Sequence, residues 1–498
     1  MKRAIALILL ASLLAASISC GEAKPSERTP TTSDTAETTP AETEMSYDPG
    51  LPAADFKGET FTFLTRGEEG TSNNWYHADI VSESENGEYL NDAVWRRTSY
   101  IEDTYNVKIE QLYGGNTSTA LTGSEMSRFV NSSIMSGDNA FDAILSSAYD
   151  TIGYAVNDYL LDLNELEYLD LTKPWWDQNA AADLAFGDRI YFTVGELTYV
   201  DNLAAQCMIF SKNVADTLKI ADPYQTVRDG DWTLDTLIAN SKLAFRDING
   251  DNEMDESDCF GFTYWQDTCF SFVISTGNTI GSIDKNGEPQ FTFYSERMVN
   301  TWEKMIAFLE DESTLSLFNE RKLYTGEPYG GTVVKMLDSD SMLYNWVTMC
   351  DLSALRNSTN DFGILPIPKY DADQENYITP VGGYGCAMLS VPVTTGDPDR
   401  TGFILEAFCA KSMELVTPAF YDKTLSSKYT RDVESEEMLD LIYSTRRYDI
   451  GYFSLWGDIT NQLMSMWNKK DANLTSMYES VKEKALSDLA ATAEAFSK

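Results

Sequence analysis

Segments typical of β-strands alternate with helical segments along the chain. Residues 59–65 alternate apolar and polar side chains, as a half-buried strand does, and residues 90–105 have helical spacing. Residues 107–112 and 141–147 are the next strand candidates, and residues 124–135 between them are helical in pattern. Residues 189–194 and 205–210 have the pattern of a further pair of strands. Strands that alternate with helices favour β-α-β units and a largely parallel sheet. The sequence therefore predicts an α/β protein.

Length and charge limit the number of domains and the kinds of partner. A chain of 498 residues is roughly three times the usual length of one domain, which predicts two globular lobes plus accessory segments. Acidic residues outnumber basic ones 78 to 37, and the net charge of −41 argues against nucleic acid as a partner. The one histidine, His77, leaves a Ser/His/Asp triad a single candidate base and excludes a multi-histidine metal site.

Residues 1–19 have the features of an export signal. Lys2 and Arg3 begin it, and residues 4–16 are apolar but too few to span a membrane comfortably. Cys20 follows, in an arrangement that resembles a bacterial lipobox, although Ser17 stands where leucine is usual. The resemblance implies acyl chains such as palmitate on Cys20, which would anchor the protein at the extracellular face of the cell membrane. A plain cleaved signal is the alternative.

Between this signal and the globular body, residues 20–53 are rich in Thr, Glu, Ser, Pro and Ala, with little to bury, and we expect a disordered tether. The six later cysteines have scattered spacing that matches no zinc motif and no small disulfide framework. Free buried thiols are the expected state, and a Cys259–Cys269 disulfide is the alternative.

An acidic loop at residues 247–258 is a candidate calcium site. Oxygen side chains stand at loop positions 1, 3, 5, 9 and 12, and position 7 needs only a backbone carbonyl, a spacing suited to Ca²⁺. The predicted ligands are Asp247, Asn249, Asp251, Glu253 through its carbonyl, Asp255 and Asp258. Asn252 replaces the usual glycine at position 6, and position 12 is aspartate where glutamate is usual. The alternative is a solvated acidic turn without an ion.

A series of short motifs follows in a fixed order through the body of the chain. They are Phe141-Asp-Ala-Ile-Leu, Gly187-Asp-Arg-Ile-Tyr-Phe-Thr-Val-Gly195, Met208-Ile-Phe-Ser-Lys-Asn213, Asp231-Trp-Thr-Leu-Asp-Thr-Leu, Asp361-Phe-Gly-Ile-Leu-Pro-Ile-Pro-Lys369 and Gly383-Tyr-Gly-Cys-Ala-Met-Leu-Ser-Val-Pro392. Their order and spacing resemble those of the extracellular solute-binding proteins of bacterial ABC importers, the group that includes maltose-binding protein. The C-terminal part, including residues 446–457, departs from that family.

The resemblance implies a two-lobed periplasmic-binding-protein-like fold (type II), with several chain crossings at the hinge and a ligand held between the lobes. By analogy with the family, lobe one comprises residues 54–203 plus 379–415, and lobe two comprises residues 204–378 plus 416–498. It further implies a monomeric receptor that closes over its solute and delivers it, without chemistry, to the membrane subunits of an ABC permease.

The composition favours carbohydrate as the ligand of such a cleft. Aromatic residues make up 12% of the chain, and flat rings stack on sugar faces while carboxylates and amides bind hydroxyl groups. We therefore predict a carbohydrate ligand, an oligosaccharide in the first instance. The candidate residues are Trp75, His77, Tyr149, Asp150 and Tyr384 in lobe one, Trp265, Tyr344, Trp346, Trp456 and Asp458 in lobe two, and Glu196 near a crossing. For any one aromatic, packing in the core is the alternative.

Three other functions stay open at this point. A secreted glycoside hydrolase would need two carboxylates facing each other, and with 78 acidic residues the sequence cannot select a pair. A receptor for peptide or another polar solute fits the same fold. A passive surface module stiffened by calcium is the third possibility.

Overall fold

The computed structural model describes residues 46–69, 79–121, 123–421 and 433–497. The strands are β1 Glu59–Thr65, β2 Val107–Tyr113, β3 Ala143–Ser147, β4 Phe192–Thr193, β5 Gln206–Ser211, β6 Phe260–Tyr264, β7 Gly281–Ile283, β8 Pro289–Phe291, β9 Thr314–Ser316, β10 Met342–Thr348, β11 Phe362–Leu365, β12 Thr379–Pro380, β13 Ala387–Ser390 and β14 Arg446–Arg447. The chain divides after Ser46, and all these strands lie in the unit that begins at Tyr47.

Helices connect most of the strands. They are α1 Tyr89–Tyr105, α2 Glu125–Ser136, α3 Ala148–Val156, α4 Gln178–Leu184, α5 Val200–Leu203, α6 Lys212–Leu218, α7 Pro223–Arg228, α8 Leu234–Ala244, α9 Thr268–Ser275, α10 Glu296–Leu309, α11 Tyr329–Asp338, α12 Leu352–Leu355, α13 Pro398–Tyr421, α14 Val433–Ser444, α15 Ile450–Phe453, α16 Ile459–Lys469 and α17 Leu474–Phe496. Short 3₁₀ turns lie at Leu163–Glu165, Met349–Asp351 and Trp456–Asp458. Among the helices of the described residues, none is long and apolar enough to span a bilayer.

The first sheet has the strand order β2-β1-β3-β13-β4. Its first three strands are parallel, with Phe63 opposite Ala143, and β13 runs antiparallel to both β3 and β4. Phe61 and Phe63 of β1 are fully buried, as the alternating pattern of this strand predicts. β13 begins nearly two hundred residues after the end of β4. The first sheet is therefore completed only after the chain has left it and returned.

The second sheet has the order β11-β5-β10-β6-β9. β10 is parallel to β6 and antiparallel to β5, and β6 is parallel to β9. Helix α8 lies against β6 so closely that a Cβ at Gly261 would meet the backbone of Ser241 at 2.0 Å. Thr233 caps this helix by accepting a hydrogen bond from the backbone N–H of Thr236.

The segments in which the chain crosses from one sheet to the other lie next to each other. The first crossing leads from α5 to β5, and its Ala205 pairs with Val381 of the return segment that contains β12. β12 in turn pairs with β14, which follows α14. The predicted two-lobed fold with several crossings is therefore confirmed. The exact limits of the two lobes stay a prediction.

The C-terminal helices contact both halves of the molecule. In α17, Tyr478 stacks on Tyr294 beside the second sheet, with ring centroids 4.2 Å apart. At its other end, Phe496 stacks on Phe186 near the first sheet, with centroids 4.0 Å apart. The largest apolar cluster accordingly includes residues of both sheets and of α16 and α17. This C-terminal packing is the part of the fold that the sequence motifs did not cover.

Two local predictions can be compared with the structure directly. β4 is shorter than the predicted strand at 189–194, because Arg189 pairs back with Phe186 across a tight turn. The six described cysteines are free and buried, so the expectation of free thiols is confirmed and Cys259 is not joined to Cys269. Cys20, the signal at 1–19 and most of the tether at 20–53 lie outside the described residues.

Candidate ligand-binding cavity

A cavity of about 290 Å³ lies among residues that follow strands of both sheets. We call it the interlobe cavity. Its volume is close to the lower end of the range of roughly 300–1,000 Å³ that is usual for small-molecule sites. Its aromatic lining residues are Tyr149, Phe270, Trp346, Tyr384 and Tyr452, and its polar ones are Thr119, Gln206, Gln266, Asp267, Thr348 and Thr460. The lining therefore combines ring faces with hydrogen-bonding groups.

The aromatic wall is assembled from distant parts of the chain. Tyr149 lies in the first turn of α3, directly after β3, and its ring makes an edge contact with Tyr452 of α15 at 6.0 Å. Tyr452 also packs against Phe270 of α9, with centroids 4.6 Å apart. Gly383 permits the close approach of the return segment, because a Cβ there would come within 2.8 Å of the Tyr149 ring. The wall thus needs both sheets and the C-terminal region.

A chain of hydrogen bonds fixes the orientation of one amide in the cavity. The indole Nε1 of Trp346 donates to Ser271 Oγ at 2.5 Å, and Ser271 Oγ donates to Gln206 Oε1 at 2.5 Å. Because Oε1 is the acceptor, Gln206 Nε2 is the end that lies beside Gly382, another lining residue. Asn468 similarly donates to Gln266 Oε1 at 3.2 Å. Both glutamines therefore have an NH₂ group available to a ligand.

Asp267 contributes the acidic group of the described cavity lining. It precedes α9 but caps none of its N–H groups, and no described residue donates a hydrogen bond to its carboxylate. Burial, with a smaller contribution from the charge of Asp351, raises the pKa of Asp267 from 3.8 to about 6. The carboxylate is half-buried and lies where a ligand can reach it.

Three of the predicted site residues come together in this cavity, namely Tyr149, Trp346 and Tyr384. Trp75 and His77 lie outside the described residues. The other six predicted ligand residues are placed elsewhere.

Two aromatic candidates pack behind the cavity. Tyr344 and Trp346 lie on the same face of β10. Tyr344 is two residues, or about 7 Å, further from the carboxyl end of the strand. There it packs on Trp232, and Asn240 of α8 donates to its hydroxyl at 3.0 Å. Trp265 makes ring contacts at 5.0 Å with Phe318 and with Tyr329. Neither side chain lines the interlobe cavity.

Trp456 and Asp458 are structural residues of the C-terminal region. Trp456 is 1% exposed, and its Nε1 donates to Thr492 Oγ1 of α17 at 3.0 Å. Asp458 precedes α16 in a left-handed conformation (φ 60°), and its carboxylate accepts from Asn461 at 2.6 Å. Neither residue lines the interlobe cavity, and α17 covers the tryptophan.

Asp150 joins the starts of two helices. Its carboxylate accepts hydrogen bonds from Ser124, the N-cap residue of α2, at 2.9 Å and from Thr117. Burial raises its pKa, and the donors oppose that shift. It is fully buried and is not among the residues that line the cavity.

Glu196 belongs to a buried charge cluster beside the crossings, which we call the hinge cluster: Asp177, Glu196, Asp201 and Arg446. Arg446 Nη2 lies 2.6 Å from Asp177 Oδ2, and Nη1 lies 2.9 Å from Asp201 Oδ2. A second cavity of about 230 Å³ is lined by all four residues. Burial raises the pKa of Asp201 to about 8, because one guanidinium cannot balance three carboxylates away from water.

The acidic loop is tightly wound. Asp247 accepts hydrogen bonds from the N–H groups of Gly250 and Asn252, and Asn252 adopts the left-handed conformation (φ 63°) that position 6 requires. The two oxygens of Asp258 accept from the N–H groups of Ile248 and Asp255. In the described part of the chain, no three His, Cys, Asp or Glu side chains form a group that could hold a metal ion. The winding of the loop suits calcium. The carboxylates of Asp247 and Asp258 accept hydrogen bonds from N–H groups of the loop, and the calcium ion stays a prediction.

Sequence reasoning missed Gln206, Gln266, Asp267, Phe270 and Tyr452. One signal pointed to some of them: Gln266 and Asp267 lie two and three residues after the end of the buried strand β6, and ligand groups in α/β proteins cluster at the carboxyl ends of strands. Gln206 and Tyr452 gave no such signal, because their place in the cavity depends on the crossings and on the C-terminal packing.

Comparisons with known proteins were made by family, by sequence and by structure. No protein-family model matches the chain, and no curated protein matches it by sequence. Among solved structures, UgpB from Mycobacterium tuberculosis in complex with glycerophosphocholine is similar with a TM-score of 0.54 and 14% identity, covering 80% of this chain and 95% of that chain.

Two further structures show the same likeness. A cyclo/maltodextrin-binding protein complexed with maltotetraose has a TM-score of 0.53 and 11% identity, over 89% of this chain and 97% of that one. An ABC substrate-binding protein from Listeria monocytogenes in complex with cycloalternan has a TM-score of 0.51 and 12% identity, over 88% and 98%. These identities are low, and the likeness is one of fold. The chain therefore has the two-lobed, type II α/β fold of ABC-transporter solute-binding proteins.

Proposed function

We propose that the protein is an extracellular solute receptor of an ABC importer, which binds a short carbohydrate in the interlobe cavity and delivers it unchanged to the permease. The observation that carries this proposal is the cavity lining, in which five aromatic rings stand beside two glutamine amides and one carboxylate. Ring faces bind the apolar faces of sugars, and amides and carboxylates bind their hydroxyl groups. Each type of group that a sugar requires is thus present.

The similar structures support the choice of a small polar solute. Their ligands are maltotetraose, cycloalternan and glycerophosphocholine. A glycoside hydrolase would use a pair of carboxyl groups across the scissile bond. Asp267 is the acidic side chain of the described lining, and the nearby Asp351 is engaged by the N–H and hydroxyl of Thr348. These features favour a receptor.

Attachment to the membrane is a further part of the proposal. It rests on the order of the export signal, Cys20 and the polar tether in the sequence. A receptor held by acyl chains at the outer face of its own membrane would stay close to the permease. We expect the receptor to act as a monomer.

A ligand screen combined with one variant tests the binding function. We expect some mono- or oligosaccharides to raise the melting temperature of the protein and to bind at a 1:1 ratio in calorimetry without release of reducing sugar. Tyr384→Ala should weaken this binding about tenfold, because it removes one stacking ring, and should leave the melting temperature of the free protein nearly unchanged, since Tyr384 is 37% exposed. Turnover of the sugar would favour the hydrolase instead.

The control is Tyr89→Ala, which removes an exposed tyrosine at the start of α1, away from the interlobe cavity. It should change neither binding nor stability. Unchanged affinity in Tyr384→Ala, with sugar bound, would place the ligand elsewhere than in this cavity.

We also propose that the loop at 247–258 binds calcium and stiffens the second sheet. If it does, calcium added to chelator-treated protein should stabilise the fold, by about 2.7 kcal/mol at a concentration a hundred times the dissociation constant. Asp251→Ala should remove most of this calcium-dependent gain and have little effect in chelator. The measurement is thermal unfolding with chelator, calcium or magnesium. A melting temperature of the parent protein that does not respond to calcium would exclude the site.

A further inference from the structure

We propose that the interlobe cavity selects solutes that carry a positively charged nitrogen beside their hydroxyl groups, amino sugars being the simplest class. The proposal rests on the proposed receptor function and makes its ligand more specific. It is carried by one juxtaposition: the Asp267 carboxylate, without a hydrogen-bond partner among the described residues, lies in a cavity lined by five aromatic rings.

The first step of the argument concerns the charge near Asp267. None of the described lining residues is basic. The basic side chain near this wall is Arg66, whose guanidinium donates to the backbone oxygens of Tyr384 and Gly385, the latter at 2.7 Å. No basic side chain of the described residues forms an ion pair with Asp267. The carboxylate therefore has no counter-charge in the described protein.

The second step concerns the other titratable groups that face Asp267. Asp351, in the 3₁₀ turn after β10, adds negative charge. The remaining neighbours are Tyr149 of α3, Tyr452 of α15, Tyr329 of α11 and Cys269 of α9. Burial raises the pKa of each of these groups, so all four are neutral at pH 7. The charged side chain that the structure places near Asp267 on these elements is thus acidic.

The third step concerns the rings. The faces of tyrosine, tryptophan and phenylalanine carry partial negative charge and attract cations, and several such rings around one pocket are a common recognition device for ammonium groups. Tyr452 contacts both Tyr149 and Phe270 along one wall, and Trp346 and Tyr384 complete the lining. A neutral sugar could stack on these rings, but only a cation also balances the carboxylate.

The ionisation of Asp267 gives the proposal a signed pH dependence. Its pKa of about 6 means that the carboxylate is charged at pH 7.5 and largely protonated at pH 5. An ammonium ligand pairs with the charged form, so its affinity should fall as the pH is lowered through 6. A neutral sugar avoids burying an unpaired charge when the group is protonated, so its affinity should rise over the same interval.

The experiment compares matched pairs of probes by calorimetry at pH 7.5 and pH 5. The pairs are glucosamine with glucose, galactosamine with galactose, and chitosan oligosaccharides with N-acetylated chitin oligosaccharides of equal length. We expect the amine of at least one pair to bind at least about tenfold more tightly at pH 7.5, the effect of one charged hydrogen bond. Asp267→Asn should abolish this preference and its pH dependence.

The matched control is Asp235→Asn, which changes an exposed aspartate in the first turn of α8, outside the cavity. It should keep the amine preference of the parent protein. Melting curves of both variants establish that they are folded, and Asp267→Asn should melt no lower than the parent, because the Asp267 side chain makes no capping hydrogen bond to α9.

The outcomes separate this inference from the function on which it rests. A neutral sugar that binds as tightly as its amine at pH 7.5, or a preference that survives in Asp267→Asn, would overturn the inference and leave the receptor function standing. If neither member of any pair binds, and a wider sugar screen is also negative, the carbohydrate function fails and the inference fails with it.

Discussion

Replacing Arg446 with methionine is expected to destabilise the protein by about 3–5 kcal/mol, the usual cost of removing one partner from a buried ion cluster. The guanidinium lies 2.6 Å from Asp177 and 2.9 Å from Asp201, and the three side chains are between 3% and 12% exposed. Without it, the three carboxylates of the hinge cluster would share a buried space with no counter-charge. Urea denaturation measures the loss.

The loss should also depend on pH. The pKa of Asp201 is about 8 in the folded protein and 3.8 ordinarily, so the folded state binds more protons than the unfolded state between these values. In this range Asp201 is ionised in the unfolded state and protonated in the folded state. The free energy of unfolding therefore falls as the pH rises through the range. Arg446 opposes the effect, and its removal should make the deficit larger at pH 8 than at pH 5. A deficit that is the same at both would mean that charge is not its cause.

Arg447→Met is the matched control because it changes the next residue of the same short strand. Arg447 is 45% exposed, and its Nε lies 3.4 Å from Asp183. Exposed ion pairs contribute up to about 1 kcal/mol, so the control should lose less than that. If both variants lose equally, the hinge cluster has no special role.

Replacing Trp456 with alanine is expected to cost about 3–5 kcal/mol of stability, since it opens a large cavity in the core. The indole is 1% exposed and bonds Thr492 of α17, and a Cβ at Gly281 would come within 2.3 Å of the ring. Its removal thus loosens the contact between β7, α15 and α17. Equilibrium unfolding in urea checks the magnitude.

The same variant distinguishes a core residue from a ligand contact. Trp456→Phe retains most of the volume and should recover more than half of the lost stability. A saturating sugar should raise the melting temperature of Trp456→Ala by as much as it raises that of the parent protein, because the side chain does not line the interlobe cavity. Lost binding with an unchanged melting temperature would contradict the placement in the core.

Local patterns predicted elements well where each strand or helix has its own alternation. The pattern at 59–65 matches β1, and the pattern at 90–105 differs from α1 by one residue. Predictions of strand length failed where a turn or a pairing partner limits the strand, as at β4, which is two residues long. Tyr149 was predicted to face the ligand from its position after a buried strand, and it lines the interlobe cavity.

Single aromatics were harder to assign because burial depends on what covers them. Trp346 and Trp456 look alike in the sequence, yet one reaches the cavity and the other lies under α17. Tyr344 and Trp346 share a strand face, and only α8 decides that the first is covered. The residues that cover these side chains lie more than thirty to about a hundred positions away in the sequence. A short stretch of sequence therefore does not show which aromatic side chain is covered.

The sequence by itself determined the alternating elements, the acidic character and the resemblance to a two-lobed fold, because each of these depends on residues that are close together in the chain. Only the tertiary structure decided which groups face a ligand and which are paired. Among the described residues, Asp267 has no hydrogen-bond donor and Arg446 pairs with two carboxylates, because the chain crosses between the sheets several times and its C-terminal helices pack on both. Contacts at such separations arise from the fold as a whole.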